Sequence, residues 1–159
     1  MLKSTLSKWL KFVILGMVLC GTLIYFWGFP TIGHIIIRNY PEFSFCYFPW
    51  LIFLWTTAVP CYFVLFLMWR IARSIAQNKA FSHKNAIRFK RIAQLAVGDS
   101  TFFLIGNILF LVFNMNHPSV VLCSFGIVFM GVTISVICSA LSYLTSKAAS
   151  LQEQSDLTI

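Results

Sequence analysis

Four long apolar runs, at about residues 12–34, 49–69, 92–113 and 120–142, alternate with short segments that carry most of the charge. Each is near the roughly 20 residues that cross ~30 Å of hydrocarbon as a helix, and about twice the length of a barrel strand. Peptide groups in lipid must be paired within a helix or a closed barrel, so each run reads as a transmembrane helix. The expected fold class is an all-α integral membrane protein with four transmembrane helices. At 159 residues, 59 % hydrophobic and 10 % charged, the chain is a single membrane domain, residues 1–159, with no room for a separate soluble one.

The basic residues orient these spans. Lys3, Lys8 and Lys11 precede the first run, seven Lys and Arg residues lie from Arg70 to Arg91, and Lys147 follows the fourth run, which leaves only Arg38 for the other side. Such a bias is the positive-inside pattern, so the expected layout is N-in and C-in, with the middle loop also cytoplasmic. The net charge of +8 then reflects orientation and contact with membrane lipids, and no direct nucleic-acid binding is expected. The first run ends in Tyr25-Phe26-Trp27-Gly28-Phe29-Pro30 with no small-residue cleavage site, so it reads as a span and not a signal peptide. Trp9, Trp69 and Tyr143 are expected at the inner boundary, and Tyr25, Trp27, Tyr47 and Trp50 at the outer one.

The segment 70–91 reads as a cytoplasmic helical hairpin that extends spans two and three. Helix two is expected to continue to about Gln77, residues 78–81 to turn, and Ser82 to cap a helix that runs unbroken into span three. Phe81 is placed to staple against Ala86 or Ile87. Lys84, Arg88 and Arg91 recur at helical spacing and form a basic face suited to lipid headgroups or an acidic partner. Pro49 fits the first turn of the second helix, whereas Pro60 falls in mid-span and is expected to kink it. The short connection from Asn114 to Ser119 makes spans three and four a tight antiparallel pair. In the cytoplasmic tail, 143–159, Leu144, Ala148 and Leu151 continue a helical stripe. Glu153 and Asp156 there are opposite in sign to the hairpin, and pairing with Arg88, Lys90 or Arg91 is expected.

Asp99 is the one acidic residue well inside a span, about 12 Å along the helix from Arg91. Ionisable groups at such depth are costly and face a bundle interior or a watery cavity. Asn107 and Asn114 follow at two-turn intervals, so Asp99, Asn107 and Asn114 form a polar face with Phe103 and Phe110, flanked by Gly98 and Gly106. One reading is structural: Asp99 and Asn107 hydrogen-bond to hydroxyls of span four, which offers Ser124, Thr133, Ser135, Ser139 and Ser142. The other makes Asp99 a proton or cation site. The structural reading leads, because transport asks for a second polar element at the same depth and none is visible. Small multidrug exporters also have four spans, but their essential carboxylate lies in the first, which here has no acid.

Cys20, Cys46, Cys61, Cys123 and Cys138 are scattered and include no Cys-x-x-Cys pair for thiol redox work. His34, His83 and His117 form no metal-binding pattern. No nucleophile with its base and no Gly-rich phosphate loop is present, so neither an enzyme nor a cofactor is expected.

Two stretches carry a family resemblance: Lys79-Ala-Phe-Ser-His-Lys-Asn-Ala-Ile-Arg-Phe-Lys-Arg-Ile-Ala93, and Leu141-Ser-Tyr-Leu-Thr-Ser-Lys-Ala-Ala-Ser-Leu-Gln-Glu-Gln-Ser-Asp-Leu-Thr-Ile159. They resemble the bacterial membrane family called domain of unknown function 2975, with its Phe-Ser/Thr-x-x-Asn hairpin and terminal Glu-x-x-Asp-Leu-Thr-Ile/Val tail. On that resemblance Phe81, Ser82, Asn85, Leu151, Glu153, Asp156, Leu157 and Thr158 are family-typical, while Gln154 departs from the more usual acidic residue. Such proteins are often encoded beside a small Cro/C1-type helix-turn-helix regulator. The resemblance implies a four-span protein of the bacterial cytoplasmic membrane with a partner and no assigned reaction.

The leading expectation is a non-enzymatic membrane regulator or scaffold. It would tether a small helix-turn-helix regulator through Phe81, Ser82, Asn85, Arg88 and Arg91 of the hairpin and Leu151, Glu153, Asp156, Leu157 and Thr158 of the tail. The alternatives are a small transporter or self-immunity protein using Asp99, and a structural subunit of a membrane complex or homo-oligomer.

Overall fold

Each apolar run coincides with a helix longer than itself, the third run reaching the cap residue Phe113. The computed structural model describes residues 2–156, with side chains from Thr5 to Ser155. Span one is a continuous helix in three parts: α1 (Leu2–Leu23), a π-helical turn (Ile24–Gly28) and α2 (Phe29–Asn39). Span two is α3 (Tyr47–Ala76), span three α4 (His83–Val112) and span four α5 (Pro118–Asp156). Four helices are long and apolar enough to cross a membrane. The tail is helical as far as Asp156, so the 39-residue α5 is ~58 Å long and outruns the hydrocarbon. Leu157 and Thr158 lie outside the described residues.

Prolines mark the irregularities. Pro30 has no N–H to give to the Phe26 carbonyl, and the turn before it is widened, so that Phe29 N–H donates to Ile24 O, five residues back. The indole Nε1 of Trp55 on α3 donates to the Tyr25 carbonyl in that turn at 3.0 Å. The segment between the first two apolar runs, 35–48, is almost wholly helical. The apolar Ile35-Ile36-Ile37 run carries α2 to Asn39, Tyr40 alone is irregular, and a 3₁₀ helix (Pro41–Cys46) leads into α3 with Pro41 in its first turn. Pro49 lies in the first turn of α3, and Pro60 lies inside it.

Two asparagines end helices in the same way. Among the described residues, Asn78 and Asn114 are the non-glycine residues with positive φ, at 58° and 55°. Each follows a helix end, and the next two N–H groups reach back to orphan carbonyls: Asn78 to Ile75 and Lys79 to Ser74, Asn114 to Leu111 and Met115 to Phe110. This is the Schellman arrangement, for which asparagine is the usual substitute for glycine.

The spans pack in chain order. Among the described residues span one rests on α3, α3 on α4, and α4 on α5, with no close backbone approach between the first and the last two spans. Ser7, on α1, donates to the Ala72 carbonyl at 2.8 Å, and Thr22 meets Tyr62 at 2.9 Å. Trp50 stacks on Phe110 and Phe53 on Phe103 between α3 and α4. A cluster of buried apolar residues joins Leu67, Ile71, Ile92, Ala93 and Cys138 toward the basic end of the bundle.

The α4–α5 seam is made of small residues. Ala86, Ala93, Ser100 and Asn107 are buried on α4 at seven-residue intervals. They face Ser124, Ser135, Cys138, Thr145 and Ala149 on α5, all buried. A seven-residue repeat is the coiled-coil period, and small side chains let backbones approach. Ser135 Oγ donates to Ala93 O at 3.0 Å and Ser142 Oγ to Ala86 O at 2.8 Å. Gly131 lies directly on Ser100, with no space for a Cβ. Replacing Ser135 and Ser142 by Ala is expected to cost about 1 kcal/mol each, read as additive losses of thermal stability in detergent. A double variant as stable as the parent would show that the two hydroxyls contribute nothing.

Candidate functional site

The hairpin is built from the turn outward. After the Schellman end of α3, Ser74 Oγ donates to Lys79 O at 2.8 Å. Ser82, in extended conformation, caps α4 by accepting from the Asn85 N–H at 3.4 Å. Asn85 itself has no exposed surface. Its Nδ2 donates to the carbonyls of Lys79 at 3.1 Å and Ala80 at 2.9 Å, and its Oδ1 accepts from Arg88 Nη1 at 2.7 Å. Arg88 Nη1 also reaches Arg70 O at 3.3 Å, so one guanidinium ties α4 to the end of α3. Buried polar groups require such partners, and here one amide satisfies two turn carbonyls at once.

Phe81 sits at the tip and is 62 % exposed, and Ile87 is 54 % exposed. The staple expected of Phe81 therefore buries little of its ring. Arg91 is exposed, as are Lys84 and Lys90.

Among the described residues, Glu153 of the tail does not pair with the arginines. Glu153 Oε2 lies 3.7 Å from His83 Nε2, with both side chains largely exposed, while Arg88 is engaged by Asn85 and the Arg70 carbonyl. α5 is straight enough to bring Glu153 to the first residue of α4. An exposed pair of this kind contributes little. Leu151 is 58 % exposed. The side chain of Asp156 lies outside the described residues, as do Leu157 and Thr158.

Within the spans the polar stripe divides. Asn107 is fully buried, donates to Phe103 O at 2.9 Å and accepts from Asn116 Nδ2 at 3.1 Å, so it anchors the connection between spans three and four. Asn114 is not on the stripe, because α4 ends at Val112 and its left-handed backbone turns the chain. Gly106 receives the Phe53 ring, whereas Gly98 faces open space.

Asp99 does not meet the hydroxyls of span four. Ser135 and Ser142 instead bind carbonyls across the seam, and Ser124 and Thr133 bind carbonyls within their own helix, Val121 O and Phe129 O. Asp99 turns toward span two: Cys61 Sγ donates to its Oδ2 at 3.7 Å, and Oδ1 is buried with no hydrogen-bond partner. The Tyr25 phenol, from the π turn, sits beside Thr57 and Cys61 and faces the same carboxylate. Tyr25 thus lies near the middle of its helix, level with Thr57 and Cys61. Trp9, Trp50 and Trp69 lie toward the helix ends, with Lys11 Nζ 5.7 Å from the Trp69 ring. Sequence reasoning missed Tyr25, Thr57 and Cys61 as neighbours of Asp99. The available signal was indirect: Pro30 and Pro60 each remove a helix hydrogen bond near this level.

The histidines stay apart. His34 meets Tyr47 at 3.2 Å, His117 meets Ser119 at 2.6 Å, and His83 faces Glu153.

Residues 31–159 match a family described as a protein of unknown function, DUF2975. The chain belongs to this family. The DUF2975 match takes in both the hairpin and the tail, and begins at residue 31, within span one. The chain is also 25 % identical over 158 residues to the "Uncharacterized membrane protein YoaS" of Bacillus subtilis (strain 168), covering 98 % of each chain. No solved structure matches. With four helices long and apolar enough to cross a bilayer and a full-length membrane relative, this DUF2975 member is a multi-pass membrane protein.

Proposed function

We propose that the protein is a non-enzymatic regulator or scaffold of the bacterial cytoplasmic membrane, with both termini and the hairpin in the cytoplasm. In this reading it holds a small cytosolic helix-turn-helix regulator on the surface formed by the hairpin and the tail. The observation that carries the reading is the fully buried Asn85, which fixes the turn and so displays Phe81, 62 % exposed, beyond the apolar part of α4. A large apolar ring on a rigid turn is the kind of anchor that a protein partner buries at small entropic cost. The exposed Lys84, Lys90 and Arg91 beside it, and Glu153 and Leu151 on the emerging α5, supply a mixed polar rim around that anchor.

The test is recovery of a partner. Full-length protein tagged at the N-terminus and kept at native level is extracted in mild detergent, and co-purifying proteins are identified by mass spectrometry. A small helix-turn-helix protein is expected, and it is lost from Phe81→Asp and from a chain lacking residues 151–159. Undiminished recovery from both variants, or recovery of the chain alone, sinks the reading. A second reading, a small transporter or self-immunity protein, is favoured by the unpartnered Oδ1 of Asp99. Asp99→Asn separates the two, because it abolishes transport or resistance and leaves partner recovery intact.

A further inference from the structure

The geometry points to an intramembrane niche, formed by Asp99, Cys61, Tyr25 and Thr57, that holds one exchangeable monovalent cation, either sodium or a proton. An ionised carboxylate in a low-dielectric setting needs several donors or a compensating charge. Asp99 has one weak donor, the Cys61 thiol at 3.7 Å from Oδ2, and none at Oδ1, although that oxygen is buried. The only ion pair among the described residues is His83–Glu153, so no side-chain cation compensates Asp99. Arg91, the nearest basic residue along α4, is exposed and about 12 Å away along the axis. The titratable groups that face Asp99 are Tyr25 from span one and Cys61 from span two. Span four meets α4 on a different face, through Ala93 and Ser100, and brings no titratable group to Asp99.

The surroundings are built for a ligand in a second respect. Tyr25 belongs to the π-helical turn, and such turns in otherwise regular helices mark functional positions. Across from it, Pro60 supplies no N–H to the Thr56 carbonyl one turn back, and its neighbours Thr57 and Cys61 line the niche. A π turn in span one and a missing helix hydrogen bond in span two therefore flank the same carboxylate of span three. Carboxylate, phenol and hydroxyl oxygens are hard donors suited to sodium, and the same carboxylate takes a proton. The niche requires no protein partner, so its failure and that of the tethering reading are separable.

The experiment uses the full chain reconstituted in liposomes and treated with N,N′-dicyclohexylcarbodiimide, an apolar reagent that adds to protonated carboxyls in hydrocarbon. The adduct is located by mass spectrometry. Labelling is expected at Asp99, absent from Asp99→Asn, and falling severalfold as the pH of the medium is raised. If sodium is the resident ion, replacing choline chloride by sodium chloride at fixed pH also lowers labelling severalfold. If the ion is a proton, the exchange of salts leaves labelling unchanged. Cys61→Ala retains labelling but shifts its pH midpoint, an effect that a purely structural thiol would not have. Labelling that ignores both pH and sodium, or its absence at every pH, overturns the proposal.

Discussion

Asn85→Ala is expected to destabilise the protein by about 3 kcal/mol, because it leaves two buried turn carbonyls without donors and removes the acceptor of a guanidinium bond. For a chain of this size that corresponds to roughly 6–12 °C in melting midpoint. The damage is local in origin. Lys79 O and Ala80 O lose the amide that holds the turn, Arg88 loses a partner, and the end of α4 loosens from α3. Limited trypsin digestion is therefore expected to cut the variant at Lys79 long before the parent chain. Asn85→Asp is a stricter trial, since it keeps an oxygen for Arg88 but sets a carboxylate against two carbonyls, and it is expected to be at least as unstable. A variant that melts with the parent and resists trypsin at Lys79 would show that Asn85 is not what fixes the turn.

Gly131→Leu is expected to have an effect of similar size, about 3 kcal/mol, through overpacking at the closest point of the α4–α5 seam. Gly131→Ala is milder and more informative. Its new Cβ meets the Ser100 side chain first, and the Ala96 carbonyl lies behind at 3.6 Å. Ser100→Gly is expected to relieve most of the cost, giving a coupling energy of about 1 kcal/mol or more in a double-mutant cycle. Additive effects of the two substitutions would mean that these residues are not in contact.

The contrast between what was and was not legible follows from the range of the forces involved. The four spans could be read because hydrocarbon imposes a length and a composition on each segment independently. Ser82 as a cap and the turn after Gln77 could be read because capping is settled within a few residues. The resemblance to the family picked out Asn85, but its role depends on carbonyls five and six residues back, which become acceptors only once the turn has closed. Asn114 was misplaced on a helical stripe because the helix stops two residues before it. Asp99 was recognised as anomalous from depth alone, yet its neighbours Tyr25 and Cys61 come from two other spans, and no periodicity connects them. The seam was within reach of sequence reasoning: Ala86, Ala93, Ser100 and Asn107 recur every seven residues, a small-residue heptad that hydrophobic patterning overlooks.

The chain-order packing of the spans bears on how the protein is made. As each span leaves the ribosome and enters the bilayer, the surface it will rest on has just been inserted ahead of it. Span two finds span one, span three finds span two, and span four finds span three through its serine and glycine seam. Among the described residues close backbone packing joins only consecutive spans, so assembly proceeds stepwise with short loop closures and little opportunity for mispairing, and the meeting of Tyr25 with Asp99 follows once span two lies between them. Span four is the exception in timing, because its polar seam must sit in lipid until it meets Ala86 and Ala93. The short connection after Asn114, clamped by Asn107 and Asn116, keeps that interval brief.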